Sequence, residues 1–317
     1  MKRSFLSNIL RIFLFYALVA FLPLEYLMII GAAIFSVTAM ASTFGSLIWM
    51  SAIGVLVFGL FSGDFALGAF TALSFVIPGW IQGVLIRKRN SLSSIITFTT
   101  ITRGVFLLIC YNRMAALKNK SIGDMITGTA SAELAENFSK GDYPEEMLNM
   151  LKDVIKLAQS MTPAIIAISA LSFAFLSLCC VKFFLRKTPF VFAGIRKLSE
   201  IKADLSFTLG SVIIVALSFI VESDYKIVLF NASYVLWYIF SAIGFAFIYR
   251  VVKRGVKHRG LAFLSALLVS VFSLGMILPV MGIVSSFVKT DFDKKLEAAE
   301  DIVNETEENE DEERKDD

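Results

Sequence analysis

The sequence predicts an all-α, polytopic transmembrane helix bundle of about eight or nine membrane segments. Three observations carry that prediction. Apolar residues make up 56% of the 317, with 30 Phe against one His and three Cys. They gather in nine runs, most of them near the roughly 20 residues that cross a hydrocarbon core of about 30 Å. Basic residues concentrate in short segments between those runs. Lipid offers the backbone no hydrogen-bond partner, and the runs are too long and too uniformly apolar for barrel strands, so helices are required. The composition excludes a disordered chain, a disulfide-stapled secreted domain and a soluble enzyme of ordinary make-up.

The first runs are Ile9 to Leu22 and Leu27 to Ala41, both short and meeting at Pro23, Glu25 and Tyr26. They read as two tilted passes, a re-entrant hairpin, or one pass plus a buried segment. Lys2 and Arg3 ahead of an apolar stretch, with Ala17 and Ala20 behind it, also fit a secretory signal. Arg11 interrupts that stretch and further runs follow at once, so an uncleaved first helix is expected. Next come Phe44 to Phe61, Phe65 to Ile86 and Leu92 to Tyr111. After a long polar interval the runs resume with Ala164 to Leu185, Leu205 to Val221, Ile227 to Tyr249 and Leu261 to Phe287. Residues 1–290 thus form the membrane bundle, and residues 112–163 an insertion within it.

Pro144 followed by Glu145 and Glu146 marks a helix start in that insertion, with carboxylates at the positive end of the dipole. Met147, Leu151, Val154, Ile155 and Ala158 then recur at helical spacing, leaving Lys152, Asp153 and Lys156 on other faces. The expectation is an amphipathic helix that lies on the membrane or caps the bundle.

Orientation follows from the basic clusters. They are Lys2, Arg3 and Arg11; Arg87, Lys88 and Arg89; Lys182, Arg186, Lys187, Arg196, Lys197 and Lys202; and Arg250, Lys253, Arg254, Lys257 and Arg259. Placing all four in the cytoplasm needs an even number of crossings between neighbours, and the runs supply four, two and two. The N-terminus is therefore expected inside, in a bacterial inner membrane, and the 112–163 insertion outside. The formal net charge of +3 is a sum of two unlike parts. The tail from Asp291 to Asp317 has 14 acidic and 4 basic residues, reads as a solvated and disordered appendage, and lies outside by parity. The remaining excess of positive charge is mostly a topology code. It does not point to nucleic acid.

Several chemistries are missing. His258 is the only histidine and sits in a basic loop, so there is no Ser-His-Asp or Cys-His constellation and no histidine-built metal site. Cys110, Cys179 and Cys180 lie in apolar runs without metal or redox spacing. No phosphate-binding loop occurs, and Glu25, Asp64, Glu222 and Asp224 fall at run boundaries, which disfavours proton-coupled or cation-coupled transport. No enzyme activity and no cofactor are expected.

Polar stripes on apolar helices are the candidate binding groups. Arg103 lies inside an apolar run, where it costs roughly 2.5–3.5 kcal/mol on insertion scales. Ser93, Thr97 and Thr100 share its face at helical spacing. Thr71, Ser74, Pro78 and Gln82 make a second stripe, and Asn231, Tyr234, Tyr238 and Ser241 a third. Converging stripes would line a cavity for a small-molecule ligand, with Arg103 orienting an anion; otherwise Arg103 snorkels toward the outer surface beside Asn112 and Arg113, and the other stripes serve as interhelical hydrogen bonds. Gly59 to Gly63 and Gly79 to Gly83 have the G-x-x-x-G spacing that lets backbones approach.

The order of runs, the amphipathic insertion, Asn231 and Gly244 in one run, the basic loop after it, and Pro279 followed by Phe292, Asp293 and Lys295 resemble the YybS-like bacterial membrane proteins. The pattern covers about residues 5–296. Where that family tends to have a Trp-x-Leu-Pro-like stretch, this chain has Arg196, Lys197, Leu198 and Ser199, and Lys289 replaces a usual acidic residue. The resemblance extends distantly to the substrate-binding S components of energy-coupling-factor transporters. It implies solute binding from outside and docking on a membrane protein partner, often through Ala-x-x-x-Ala on the first helix. Ala17 and Ala20 lack that spacing, and Ala32 with Ser36 is a loose substitute. The other class of function is an envelope scaffold or regulator acting through the basic loops and acidic tail.

Overall fold

The structure is a computed structural model, which describes residues 25–41, 44–61, 63–125, 145–185, 201–221, 225–256, 258–272 and 277–288. The run from Ile9 to Leu22, the basic segment 186–200 and the acidic tail lie outside the described residues. All regular structure among the described residues is helical. In chain order the helices are α1 (Glu25–Ala41), α2 (Phe44–Phe61), α3 (Phe65–Arg87), α4 (Leu92–Lys118), α5 (Glu145–Ser160), α6 (Thr162–Phe184), α7 (Leu205–Ile220), α8 (Tyr225–Gly255), α9 (Arg259–Phe272) and α10 (Ile277–Ser285), with one further turn at 122–125. Four of them, α3, α4, α6 and α8, are long and apolar enough to cross a membrane, and shorter apolar helices accompany them.

Helix ends follow the local sequence. Asp64 caps α3 by accepting from the Leu67 amide at 2.9 Å, and Ser91 caps α4 by accepting from the Ser94 amide at 3.2 Å. Asn119 ends α4 in the left-handed conformation, φ 51°, where asparagine is tolerated better than most residues. The run expected to stop at Tyr111 continues to Lys118, because nothing between them breaks a helix. The stretch from Leu261 to Phe287, read from sequence as one crossing, holds two helices, α9 and α10.

The helices form two compact units, Met1–Ile195 and Arg196–Asp317, divided within the basic segment. In the first, α3 is central and packs against α1, α2 and α4, while α6 packs against α1 and α4. The α1–α3 crossing is set by glycine. A β-carbon on Gly79 would lie 2.4 Å from the Ala32 carbonyl oxygen, and one on Gly83 would lie 2.2 Å from that of Ser36. Ala32 and Ser36 are fully buried there, so the small residues compared above with a docking motif pack inside this unit. The Gly59 spacing has another use: Gly59 accommodates the Phe65 ring, and Gly63 takes φ 70° in the turn between α2 and α3.

Opposite ends of this unit are distinct. Ala33, Ile86, Ile95, Leu178 and Val181 cluster at one, bringing together the end of α3, the start of α4 and the end of α6. Arg87, Lys88, Arg89 and Lys182 are exposed at that end. At the other, Arg113 pairs with Asp64 at 2.7 Å, and Leu107, Ile166 and Ala170 form a second cluster. Hydrogen bonds from the Leu67 amide and from Arg113 hold the Asp64 carboxyl below the ordinary range.

The second unit is organised on α8, which packs against α7, α9 and α10. Ala262 and Ala266 seat α9 against Ile248 and Tyr249. The α8–α10 crossing again depends on glycine, since β-carbons on Gly244 and Gly282 would strike the Leu278 and Phe240 carbonyl oxygens at 1.8 and 2.1 Å. Arg250 reaches back to donate to the Ile201 carbonyl at 2.8 Å, fixing the approach to α7.

Candidate functional site

The buried face of α4 consists of Ile95, Thr99, Arg103, Leu107 and Cys110, which recur three or four residues apart. Arg103 is 3% exposed. Its Nη1 donates to the Ser74 carbonyl at 2.9 Å and to Ser74 Oγ. Ser74 Oγ in turn donates to the Thr71 carbonyl at 2.7 Å, so a lone pair faces the arginine. The guanidinium carbon stands 4.4 Å from the centroid of the Phe173 ring. Three helices thus meet at one cation: α3 through Ser74, α4 through Arg103 itself, and α6 through Phe173. A desolvated cation–π contact contributes about 2 kcal/mol and a charged hydrogen bond about 1.5–3 kcal/mol. These contacts are of the size needed to offset the insertion cost of an arginine.

A second polar node sits two turns further along α3, roughly 12 Å away along the helix axis. Gln82 is fully buried. Its Nε2 donates to the Ala174 carbonyl at 3.2 Å and to Ser177 Oγ at 3.1 Å, both on α6. Its Oε1 faces Ser36 Oγ of α1 at 2.8 Å, and the same hydroxyl lies 2.7 Å from the Gly79 carbonyl. Both amide hydrogens are engaged, and the oxygen is held between α1 and α6.

The remaining sequence-derived candidates are placed as follows. Thr71 Oγ1 donates within α3 to the Leu67 carbonyl at 2.8 Å. Thr97 lies on the exposed side of α4. Thr100 is half-buried, and its hydroxyl oxygen is buried without a hydrogen-bond partner among the described residues. Asn231, Tyr234 and Tyr238 belong to α8 of the second unit: Asn231 Nδ2 donates to the Ile227 carbonyl at 2.8 Å, Tyr234 is 46% exposed and Tyr238 is half-buried. The structure therefore brings Arg103 and Ser74 into contact, with Thr71 beside them, and places Gln82 in its own network.

Sequence reasoning did not single out Phe173, Ser177 or Thr99. Thr99 donates to the Ile95 carbonyl at 2.7 Å. A signal existed for Ser36, because Ala32-x-x-x-Ser36 is the small-residue complement of Gly79-x-x-x-Gly83. None existed for Phe173, one aromatic among 30 Phe.

The long apolar helices agree with the family comparison, in which the model described as "Predicted membrane protein (DUF2232)" matches residues 9–286. The chain belongs to that family of predicted membrane proteins. No curated protein and no solved structure matches it. The DUF2232 match spans every helix described in both units, so the Arg103 and Gln82 nodes both fall inside the family region. Among the described residues, no three His, Cys, Asp or Glu side chains gather as metal ligands would.

Proposed function

We propose that this protein is a solute-binding subunit of the cell membrane, with Arg103 as the anchor for an anionic group on its ligand. The observation that carries the reading is a guanidinium held in the bundle interior, pre-oriented by Ser74 and Phe173 from two other helices. Pre-orientation lowers the ordering cost of binding, and a guanidinium suits a carboxylate or phosphate. The Thr100 hydroxyl, three residues before Arg103 on α4, supplies a second polar contact. Binding proceeds without catalysis or a cofactor. The role corresponds to that of an S component, and it rests on the YybS-like pattern together with the buried charge.

The topology proposed with it has eight or nine crossings and a cytoplasmic N-terminus. Its support within the first unit is the gathering of Arg87, Lys88, Arg89 and Lys182 at one end, with Asp64 and Asp124 at the other.

A specific observation favours the second reading, a membrane scaffold or regulator with a protein partner. Thr71, Gln82 and Asn231 direct their donors to their own helices or to neighbouring ones, as packing residues do. We accordingly leave these three out of the ligand contacts.

The test uses purified full-length protein, native mass spectrometry and thermal stability against a panel of small carboxylates and organic phosphates. Solute binding predicts that a panel member raises the melting temperature of the native chain and that Arg103→Met abolishes the shift while the protein stays monodisperse. An Arg103→Met variant that keeps the ligand would remove Arg103 from the site. If the whole panel fails to bind and a co-purifying membrane protein is lost on altering residues 186–200, the scaffold reading stands instead.

A further inference from the structure

Helix α5 carries a feature that the solute reading does not use. Met147, Met150, Val154 and Leu157 recur at spacings of three, four and three, so they form one stripe, and Met150 and Val154 are 70% and 61% exposed. Asn149, Lys152 and Lys156 are exposed on the other side of the helix, and Asp153 is exposed at the margin of the stripe. Stripes of this kind bury themselves against something.

What covers the stripe follows from where α5 is attached. Only Met161 separates α5 from α6, a helix long and apolar enough to cross the bilayer, so the C-terminal end of α5 sits at the membrane boundary. A second tie fixes it there. Gln159 Nε2 donates to Asp124 Oδ1 at 2.7 Å, beside the end of α4, another candidate span. Asp124 is itself held by the Ser121 amide and hydroxyl at 3.2 and 2.6 Å through its other oxygen. Gly123 leaves room for the Gln159 stem, whose Cβ would lie 3.3 Å from a side chain there. The helix is therefore pinned at one end to the rim of the membrane bundle.

We propose that α5 lies in the plane of the bilayer interface, with Met147, Met150, Val154 and Leu157 in the hydrocarbon boundary and Lys152 and Lys156 toward water. This inference is independent of solute binding and needs only the membrane bundle. Two lysines against three carboxylates leave the helix without positive charge, so apolar burial drives the association and anionic lipid is not required.

The test uses the full-length chain with Cys110, Cys179 and Cys180 replaced by alanine. Single cysteines at Met150, Val154, Leu157, Lys152 and Lys156 carry an environment-sensitive fluorophore in phosphatidylcholine vesicles. The expected result is severalfold stronger quenching by lipid-borne nitroxide than by aqueous iodide at 150, 154 and 157, and the reverse at 152 and 156. Adding phosphatidylglycerol should leave the pattern unchanged, and Val154→Glu should shift a label at 150 toward iodide. Iodide reaching all five sites equally would overturn the proposal. Protection from both quenchers at 150 and 154 would replace lipid by a protein surface, and a pattern that appears only with phosphatidylglycerol would overturn the apolar driving force.

Discussion

Gly83→Ala separates helix propensity from packing at the α1–α3 crossing. In an ordinary helix interior, replacing glycine by alanine stabilises by about 1 kcal/mol. At Gly83 the new methyl would sit 2.2 Å from the Ser36 carbonyl oxygen and 2.8 Å from Ala39 Cβ, whereas real β-carbon contacts essentially never fall below 3.0 Å. That oxygen belongs to the backbone, so no rotamer change relieves the contact, and α1 must move away by about 1 Å. Overpacking on this scale costs roughly 1–3 kcal/mol, and more when a helix has to shift. Displacing α1 also stretches the Ser36 to Gln82 bond, now 2.8 Å. The net expectation is destabilisation of about 1–3 kcal/mol despite the better helix former. Gly104→Ala in α4 is the matched control, since its methyl would meet only Ala170 Cβ at 3.8 Å, an ordinary contact. Thermal unfolding of the purified protein in detergent should rank Gly83→Ala below the native chain and Gly104→Ala at or above it. Equal melting temperatures for the two variants would refute the crossing geometry.

Three further outcomes follow from the same contacts. Gln82→Leu fills a similar volume and removes three interhelical bonds worth about 0.6–1.7 kcal/mol each; Ser36 and Ser177 keep the Gly79 and Ala174 carbonyls as acceptors, so the loss should be about 1–3 kcal/mol by the same unfolding assay. The Asp64 and Asp124 carboxyls titrate below their unfolded value, so each contributes stability at neutral pH that is lost as pH falls below about 4 and through the depressed pKa; Asp64→Asn should flatten the acid limb of melting temperature against pH. Cysteines placed at Lys88 and Asn119 of a cysteine-free chain should react on opposite sides of the membrane, with only position 119 open to an impermeant reagent in intact cells. Labelling of both from one side would refute the antiparallel α3–α4 pair.

The parts of this fold that were legible from sequence are those where lipid dictates the answer. Runs such as Phe44 to Phe61 became helices with the same bounds, and Pro144 with its glutamates marked the start of α5 to within one residue. The rotation of each helix about its axis was harder to read. On α4 the sequence grouped Ser93 and Thr97 with Arg103, yet the buried partners of Arg103 on that helix are Ile95, Thr99, Leu107 and Cys110. In water, a polar stripe marks the outside. In a bilayer both lipid and protein neighbours are apolar, so an isoleucine is equally at home on either face and polarity alone does not find the inside. Gly79 and Gly83 announced a close approach, and the small-residue pair that receives them, Ala32 and Ser36, stands 47 residues earlier.

The same physics separates the two polar nodes by role. Association of helices in lipid gains little from the hydrophobic effect, so it relies on close backbone approach and on hydrogen bonds that lipid does not compete for. Gln82 lies between Gly79 and Gly83 in sequence and bonds to the helices on both sides, which makes it a register pin for α1, α3 and α6. Its two N–H groups are already engaged, so a ligand would have to break helix contacts to reach it. Arg103 is different because its charge, and not its hydrogen-bond count, is the costly property. A neutral residue could have bridged Ser74 and α6 without the 2.5–3.5 kcal/mol that a buried arginine demands. The proposed role in recognition gives the charge of Arg103 a use beyond its Ser74 and Phe173 contacts, whereas the bonds of Gln82 serve packing.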